Sequence, residues 1–213
     1  MNELTRFEPP PKNVDGKGQR SFLQDAWTTR PRGVSAKSQR QLLADYFTSL
    51  LVWSADIHYQ PQVGVPNYLY WIDGGWSLSL IGPDEWSSDP MHPRRRGIAG
   101  TCNLQADRVW TIEPSDVLLE GGEIAEEIAQ RYDSFAESLD SDVPLEEALP
   151  FYAHGLRYHA RVGAYSLSHS LRATMTLGGQ LAIPGKQWLL ALPHKPLGKS
   201  DADGNIEPKT NGD

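Results

Sequence analysis

Six histidines, one cysteine and the carboxylate pair Asp84-Glu85 beside Trp86 are the side chains here most suited to chemistry, and their spacing excludes most of it. Helical metal ligands recur at i, i+3 or i, i+4, and no two of His58, His92, His154, His159, His169 and His194 stand that far apart. Cys102 lies in the strand-like run Gly100-Thr101-Cys102-Asn103, where a buried, inert thiol is expected. A thiol nucleophile served by one of the histidines is the competing reading. No Gly-x-Ser-x-Gly elbow occurs, and the pairs Gly74-Gly75, Gly121-Gly122 and Gly178-Gly179 match neither phosphate-loop nor dinucleotide spacing. Asp84 and Glu85 point apart on a turn, and Asp84 reads as a helix cap. The chain is therefore expected to hold no metal, no cofactor and no catalytic group of a recognised kind.

Groups suited to binding are more numerous. Seven tryptophans occur in 213 residues. Tyr68, Tyr70, Trp71, Trp76 and Trp86 gather in or beside one hairpin signal. On a strand Tyr68 and Tyr70 share one face and Leu69 and Trp71 the other, so both faces are apolar. One face must cover a core helix; the second meets another layer, supplied by residues 113–195, or stays open as a binding platform. The loop holding Arg94, Arg95 and Arg96 beside His92 suits phosphate or carboxylate recognition, or is a solvated basic loop. His154, Tyr158, Arg161, Tyr165 and His169 fall on one stripe of a helix and suit an anionic or aromatic ligand. Phe22, Leu23 and Trp27, with Ala26, form a short apolar motif that docks into a partner's groove or onto its own domain.

These groups need elements to hold them. Ser35 reads as an N-cap, with a helix over 36–58 whose Leu42, Leu43, Tyr46, Phe47, Leu50, Leu51, Trp53 and Ile57 make a wide apolar face. Residues 67–72 and 76–81 around Asp73-Gly74-Gly75 predict a β-hairpin. Residues 97–104 and 108–112 add one or two short strands. Ile124, Ile128, Tyr132, Phe135 and Leu139 mark an acidic helix. A further helix over 151–175 carries the small-residue stripe Leu156, Ala160, Gly163, Leu167, Leu171 and Thr174, which would admit a close neighbour. Residues 181–183 and 187–192 predict a closing hairpin. The expected class is α+β: a small antiparallel sheet packed on one long helix and covered by C-terminal helices. Residues 1–34 are expected to be a disordered arm carrying the short apolar motif, 35–196 one domain (35–112 its core, 113–196 a helical extension), and 197–213 a disordered tail.

The middle of the chain resembles an uncharacterised family found in bacteria and eukaryotes. Its members carry a Tyr-Leu-Tyr strand, then Ser-x-Ile-Ser-Pro-x-Glu-Trp, then Gly-x-x-x-Leu-Gln-x-Asp-x-x-Trp-Thr. The corresponding residues here are Tyr68-Leu69-Tyr70, Ser79-Leu80-Ile81-Gly82-Pro83-Asp84-Glu85-Trp86, and Gly100 through Leu104-Gln105, Asp107 and Trp110-Thr111. The resemblance spans residues 36–112, departs from the pattern at Gly82 and in the arginine-rich loop before Gly100, and implies a shared fold unit without an activity.

A net charge of −7 argues against general nucleic-acid binding. The charge is unevenly placed. Residues 113–149 hold twelve carboxylates against Arg131 alone, whereas 148–200 hold six Lys and Arg and no carboxylate; the two blocks are expected to pair or to solvate the surface. No apolar run approaches the roughly 20 residues of a membrane span. One cysteine and no signal-peptide pattern point to a soluble chain in the reducing cytoplasm. The functional expectation is a non-catalytic adaptor that binds an acidic protein partner through aromatic and arginine side chains. The alternative is an enzyme on a small anionic substrate, using the His, Arg and Tyr side chains of 154–169.

Overall fold

The computed structural model describes residues 19–86, 88–89, 91–149 and 156–193. The tails expected at the two ends, apart from residues 19–34, and His154 lie outside these residues. So do the first residues of the helix predicted from 151.

Helix α1 (Gln19–Thr28) precedes α2 (Gln39–Trp53), the long helix on which the sheet rests. Ser38, not Ser35, caps α2: its extended backbone places the side chain to accept the Gln41 N–H. The helix also ends earlier than its apolar periodicity predicts. Asp56 donates its N–H to the Trp76 carbonyl and accepts from the Leu78 N–H, so the sheet takes the backbone groups that another helical turn would need.

Strands β1 (Pro66–Ile72) and β2 (Gly75–Ser79) form the predicted hairpin. Asp73 and Gly74 both take positive φ, the requirement of a two-residue turn whose twist matches the strands. Two short helices, α3 (Pro83–Trp86) and α4 (Pro93–Arg96), lead to β3 (Ile98–Leu104) and β4 (Trp110–Pro114). All neighbours are antiparallel in the order β2-β1-β3-β4. Helices α5 (Asp116–Leu119), α6 (Glu123–Leu139), α7 (Leu145–Ala148) and α8 (Tyr158–Gly178) follow, then α9 (Gly185–Trp188) and a 3-10 turn. The closing hairpin predicted over 181–192 is not formed. Gly185 and Lys186 donate their N–H groups to the carbonyls of Val143 and Ser141, so this segment ties down the connection after α6.

The chain is thus α+β, with α2 at its centre. Leu42, Leu43, Phe47 and Leu51 are buried with the inner residues of the sheet and of α6 and α8 in one core. Tyr132 and Phe135 of α6 meet Phe47 and Tyr46 edge-on, with centroids 4.8 and 5.3 Å apart. On the sheet side Trp53 meets Trp110 at 5.4 Å, and the Trp110 N–H donates to Ser49 Oγ. Lys37 bonds both Asp45 (2.7 Å) and Asp107 (3.0 Å), which links the approach to α2 with the β3–β4 turn.

The small-residue stripe of α8 faces α2. A Cβ at Gly163 would lie 2.3 Å from the Trp53 ring. Gly163→Ala is therefore expected to destabilise the fold: overpacking costs about 1–3 kcal/mol, at its upper end here, against about 1 kcal/mol gained in helix propensity. Denaturant unfolding measures the balance, and an unchanged midpoint would contradict this packing.

Candidate functional site

The outer face of the aromatic hairpin is covered, though not by the described residues of 113–195. The intervening segment 80–96 folds back over it. Tyr70 is fully buried and donates its hydroxyl to the Ile81 carbonyl (2.9 Å), and the Gly82 backbone lies against the Tyr68 ring. The Arg94 guanidinium lies 4.0 Å from the centroid of the Trp86 ring. Trp71 stands opposite Trp76 on the inner face, where Trp76 is buried, and its indole N–H reaches Glu123 (2.8 Å). Of the predicted platform, Tyr70 and Trp76 are therefore buried, and Tyr68, Trp71 and Trp86 are half-buried by these contacts. Aromatic rings of this size find more favourable surroundings under a folded-back loop than in water. Arg95 is held by Asp84 and the Ser88 carbonyl, leaving Arg96 as the outward arginine of that loop.

The first described members of the predicted stripe on α8, Tyr158 and Arg161, are also buried, and the segment expected to be a disordered arm packs over Tyr158 and against Tyr165, whereas His169 stays exposed. Phe22 and Ala26 of α1 are buried against Tyr158 and Val162. Phe22 meets Tyr158 and Tyr165 edge-on at 6.4 and 5.7 Å. The Tyr158 hydroxyl donates to Asp25 (2.6 Å), and Thr29 and Ser166 share a hydrogen bond of 2.8 Å. Arg161, expected to hold an anion at the surface, is 4% exposed. Phe22 thus serves the chain's own domain rather than a partner. Leu23 and Trp27, one residue further round the helix, point outward at 55% and 64% exposure.

Among the described residues an aromatic and cationic surface remains at the C-terminal end of α1 beside α8. Leu23 and Trp27 are one turn apart on the helix. The Arg30 guanidinium sits 3.4 Å from the Trp27 ring centroid, which fixes both side chains at the surface. From α8, His169 packs on Tyr165 (4.5 Å) and Arg172 donates to the Glu146 carbonyl (2.7 Å). Partial burial, then Arg30, then Arg172 hold the His169 pKa below its ordinary value, so the three groups feel one another's charge. Tyr165 and His169 were legible in the sequence as site candidates. Arg30 and Arg172 were not, because only the docking of α1 brings them to the same ring.

The other chemical candidates are placed plainly. Cys102 is buried in β3, and burial pushes its thiol pKa up. His58 and Arg157 share Asp56. Among the described residues no three His, Cys, Asp or Glu side chains are grouped as metal ligands, and no helix is long and apolar enough to cross a membrane.

No protein-family model, no curated protein and no solved structure matches the chain.

The docking of α1 rests on few apolar side chains, of which Phe22 is the largest. Phe22→Ala should cost about 3 kcal/mol locally, enough to release α1 while the main core stays folded. Limited proteolysis of that variant should cut within residues 19–34 and leave a resistant fragment. Cleavage no faster than in the wild type would show that α1 is held by other means.

Proposed function

We propose that this protein is a non-catalytic binding module that holds an acidic protein segment on the surface formed by Leu23, Trp27, Arg30, His169 and Arg172. The carrying observation is the exposed Trp27 with a guanidinium stacked on it, next to a histidine already in the field of two arginines. Tryptophan and arginine dominate binding energy in protein interfaces, since one offers a large rigid surface and the other a fork for carboxylates. Leu23 extends the apolar contact by one turn. The patch is cationic on a chain of net charge −7, so it favours an acidic segment and steers its approach. A reducing cytoplasm is the setting that a single buried thiol suits.

A fluorescently labelled peptide of glutamates with interspersed leucines is the direct probe, read by anisotropy. Binding should weaken with salt. Trp27→Ala should weaken it about thirtyfold, as loss of a hot spot worth about 2 kcal/mol implies. Arg30→Gln with Arg172→Gln should weaken it tenfold or more while leaving the melting temperature nearly unchanged, because both side chains are exposed. If these variants bind like the wild type, or if a lysine-rich peptide binds equally well, the surface is not an acidic-segment site.

The sign of the pH dependence follows from His169. In the free protein its pKa lies below the ordinary 6.5. A carboxylate partner favours the imidazolium and raises that pKa, so binding takes up a proton. Affinity should rise as pH falls from 7 through the pKa of the complex, and level off below the pKa of the free protein. Without partner the sign reverses: the unfolded chain binds the proton more readily, so stability falls as pH drops below about 6.5. His169→Gln should flatten both profiles, and profiles unchanged by that substitution would exclude His169 as the titrating group.

A further inference from the structure

Leu23, Trp27, Arg30, His169 and Arg172 are all exposed on one surface. The charges acting on His169 there are those of the two arginines. An exposed aromatic and arginine surface attracts any carboxylate-bearing segment within reach, including one on its own chain. Outside the described residues, 201–207 read Asp201-Ala202-Asp203-Gly204-Asn205-Ile206-Glu207, three carboxylates and one large apolar side chain with no Lys or Arg among them. The other stretches outside the description lack that character. Residues 1–18 interleave Glu3, Glu8 and Asp15 with Arg6, Lys12 and Lys17, and 150–155 hold no carboxylate. Residues 201–207 thus offer what an acidic partner would: carboxylates for the two arginines and His169, and an aliphatic side chain for Leu23 and Trp27.

The point at which the described chain ends brings this stretch within range. The Pro193 carbonyl accepts the Tyr132 hydroxyl, and Tyr132 feels the charge of Arg40 in the first turn of α2. The end of α8 meets that same end of α2, where Gln180 donates to the Lys37 carbonyl (2.9 Å). Arg172 stands eight residues before Gln180, about 12 Å along the helix axis. Pro193 and Arg172 therefore lie toward one end of the molecule. Asp201 follows Pro193 by eight residues and Glu207 by fourteen, lengths that extend to about 26 Å and about 46 Å. A domain of this size has a radius of gyration of about 15 Å, so the stretch reaches the surface without strain.

We propose that residues 201–207 seat on the Leu23, Trp27, Arg30, His169 and Arg172 surface and compete there with the acidic partner, an autoinhibitory contact that rests on the reading of that surface as a site for acidic segments. Asp201, Asp203 and Glu207 pair with the two guanidinium groups and the imidazole, and Ile206 covers part of the Trp27 ring. A tethered segment acts at an effective concentration of about 1 mM. With a dissociation constant of about 0.1–1 mM of its own, it lowers the apparent affinity for a partner about twofold to tenfold. A partner richer in carboxylates and apolar side chains displaces it, and weaker acidic chains are kept off. The exposed Trp27 is also shielded from non-specific association while no partner is bound.

The test places a nitroxide on the full chain at Gly204→Cys, which labels selectively because Cys102 is buried. The indole N–H resonance of Trp27, assigned with Trp27→Phe, should broaden, and should recover when the nitroxide is reduced, when salt is raised, or in Arg30→Gln with Arg172→Gln. A Trp27 signal untouched by the label, or broadening that survives the double arginine change, overturns the proposal. So does broadening that appears only between a labelled and an unlabelled molecule, which would seat the segment on a second copy. A second arm measures the glutamate-leucine peptide by anisotropy. Asp201→Asn, Asp203→Asn and Glu207→Gln together should tighten its binding several-fold. The charge-matched control Glu126→Gln, Asp133→Asn and Glu137→Gln, on the exposed face of α6, should leave it nearly unchanged. Equal affinities in the two triple variants overturn the proposal. Broadening at Trp27 in a chain that binds no external peptide would sustain the internal contact and remove the partner site; peptide binding with no broadening would do the reverse.

Discussion

Trp53 stands where three parts of the chain meet. It is the last residue of α2, its ring lies edge-on to Trp110 of β4, and α8 crosses it at Gly163 with no room for a methyl group. A ring of this size cannot be accommodated by small adjustments in a close-packed interior. The angle at which α8 passes α2 is therefore set by the indole, and the sheet is set by the same indole through Trp110 and the Ser49 hydrogen bond. Other features follow from that position. With α8 so placed, its N-terminal half presents Tyr158, Val162 and Tyr165, and the apolar side of α1 covers them. The unmatched indole N–H is a further result: Trp53 is fixed by its ring contacts, and its buried polar edge is left without a hydrogen-bond partner.

Competition for burial explains why the aromatic residues are distributed as they are. Nearly every large ring is drawn into an internal contact, on the hairpin by the segment 80–96 and on α8 by α1. Among the described residues Trp27 is the exception, because Phe22 and Ala26 already fill the docking face of α1 and a one-residue offset places Trp27 about 100° away. Its exposure is a consequence of helix geometry, and the stacked Arg30 limits the cost by covering part of the ring.

The charges obey a similar economy of position. Two contacts join the acidic and basic blocks among the described residues: Lys186 bonds Asp142, and Arg172 donates to the Glu146 carbonyl. Arg157 turns instead to Asp56, before the sheet, and Arg131 pairs with Glu127 on its own helix. Most acids of α6 lie on its outer face, opposite the buried stripe from Ile124 to Leu139. The acidic block is thus chiefly a solvated face, and the arginines nearest α1 keep their field for the surface patch.

Local patterns were enough to determine the class of fold, the β-hairpin and its turn, the amphipathic stripe of α6, the small-residue stripe of α8 and the burial of Cys102. In each case periodicity, backbone preference or side-chain size acts over a few residues and needs no distant partner. The ends of α2, the fate of residues 181–192 and the covering of the aromatic faces were decided by tertiary structure, since distant backbone groups and apolar faces compete for the same partners. The candidate surface belongs to this second kind. Trp27, Arg30, His169 and Arg172 are scattered along the chain, and no spacing marks them. They become neighbours only because α1 docks on α8, whose own place is set where it crosses Trp53.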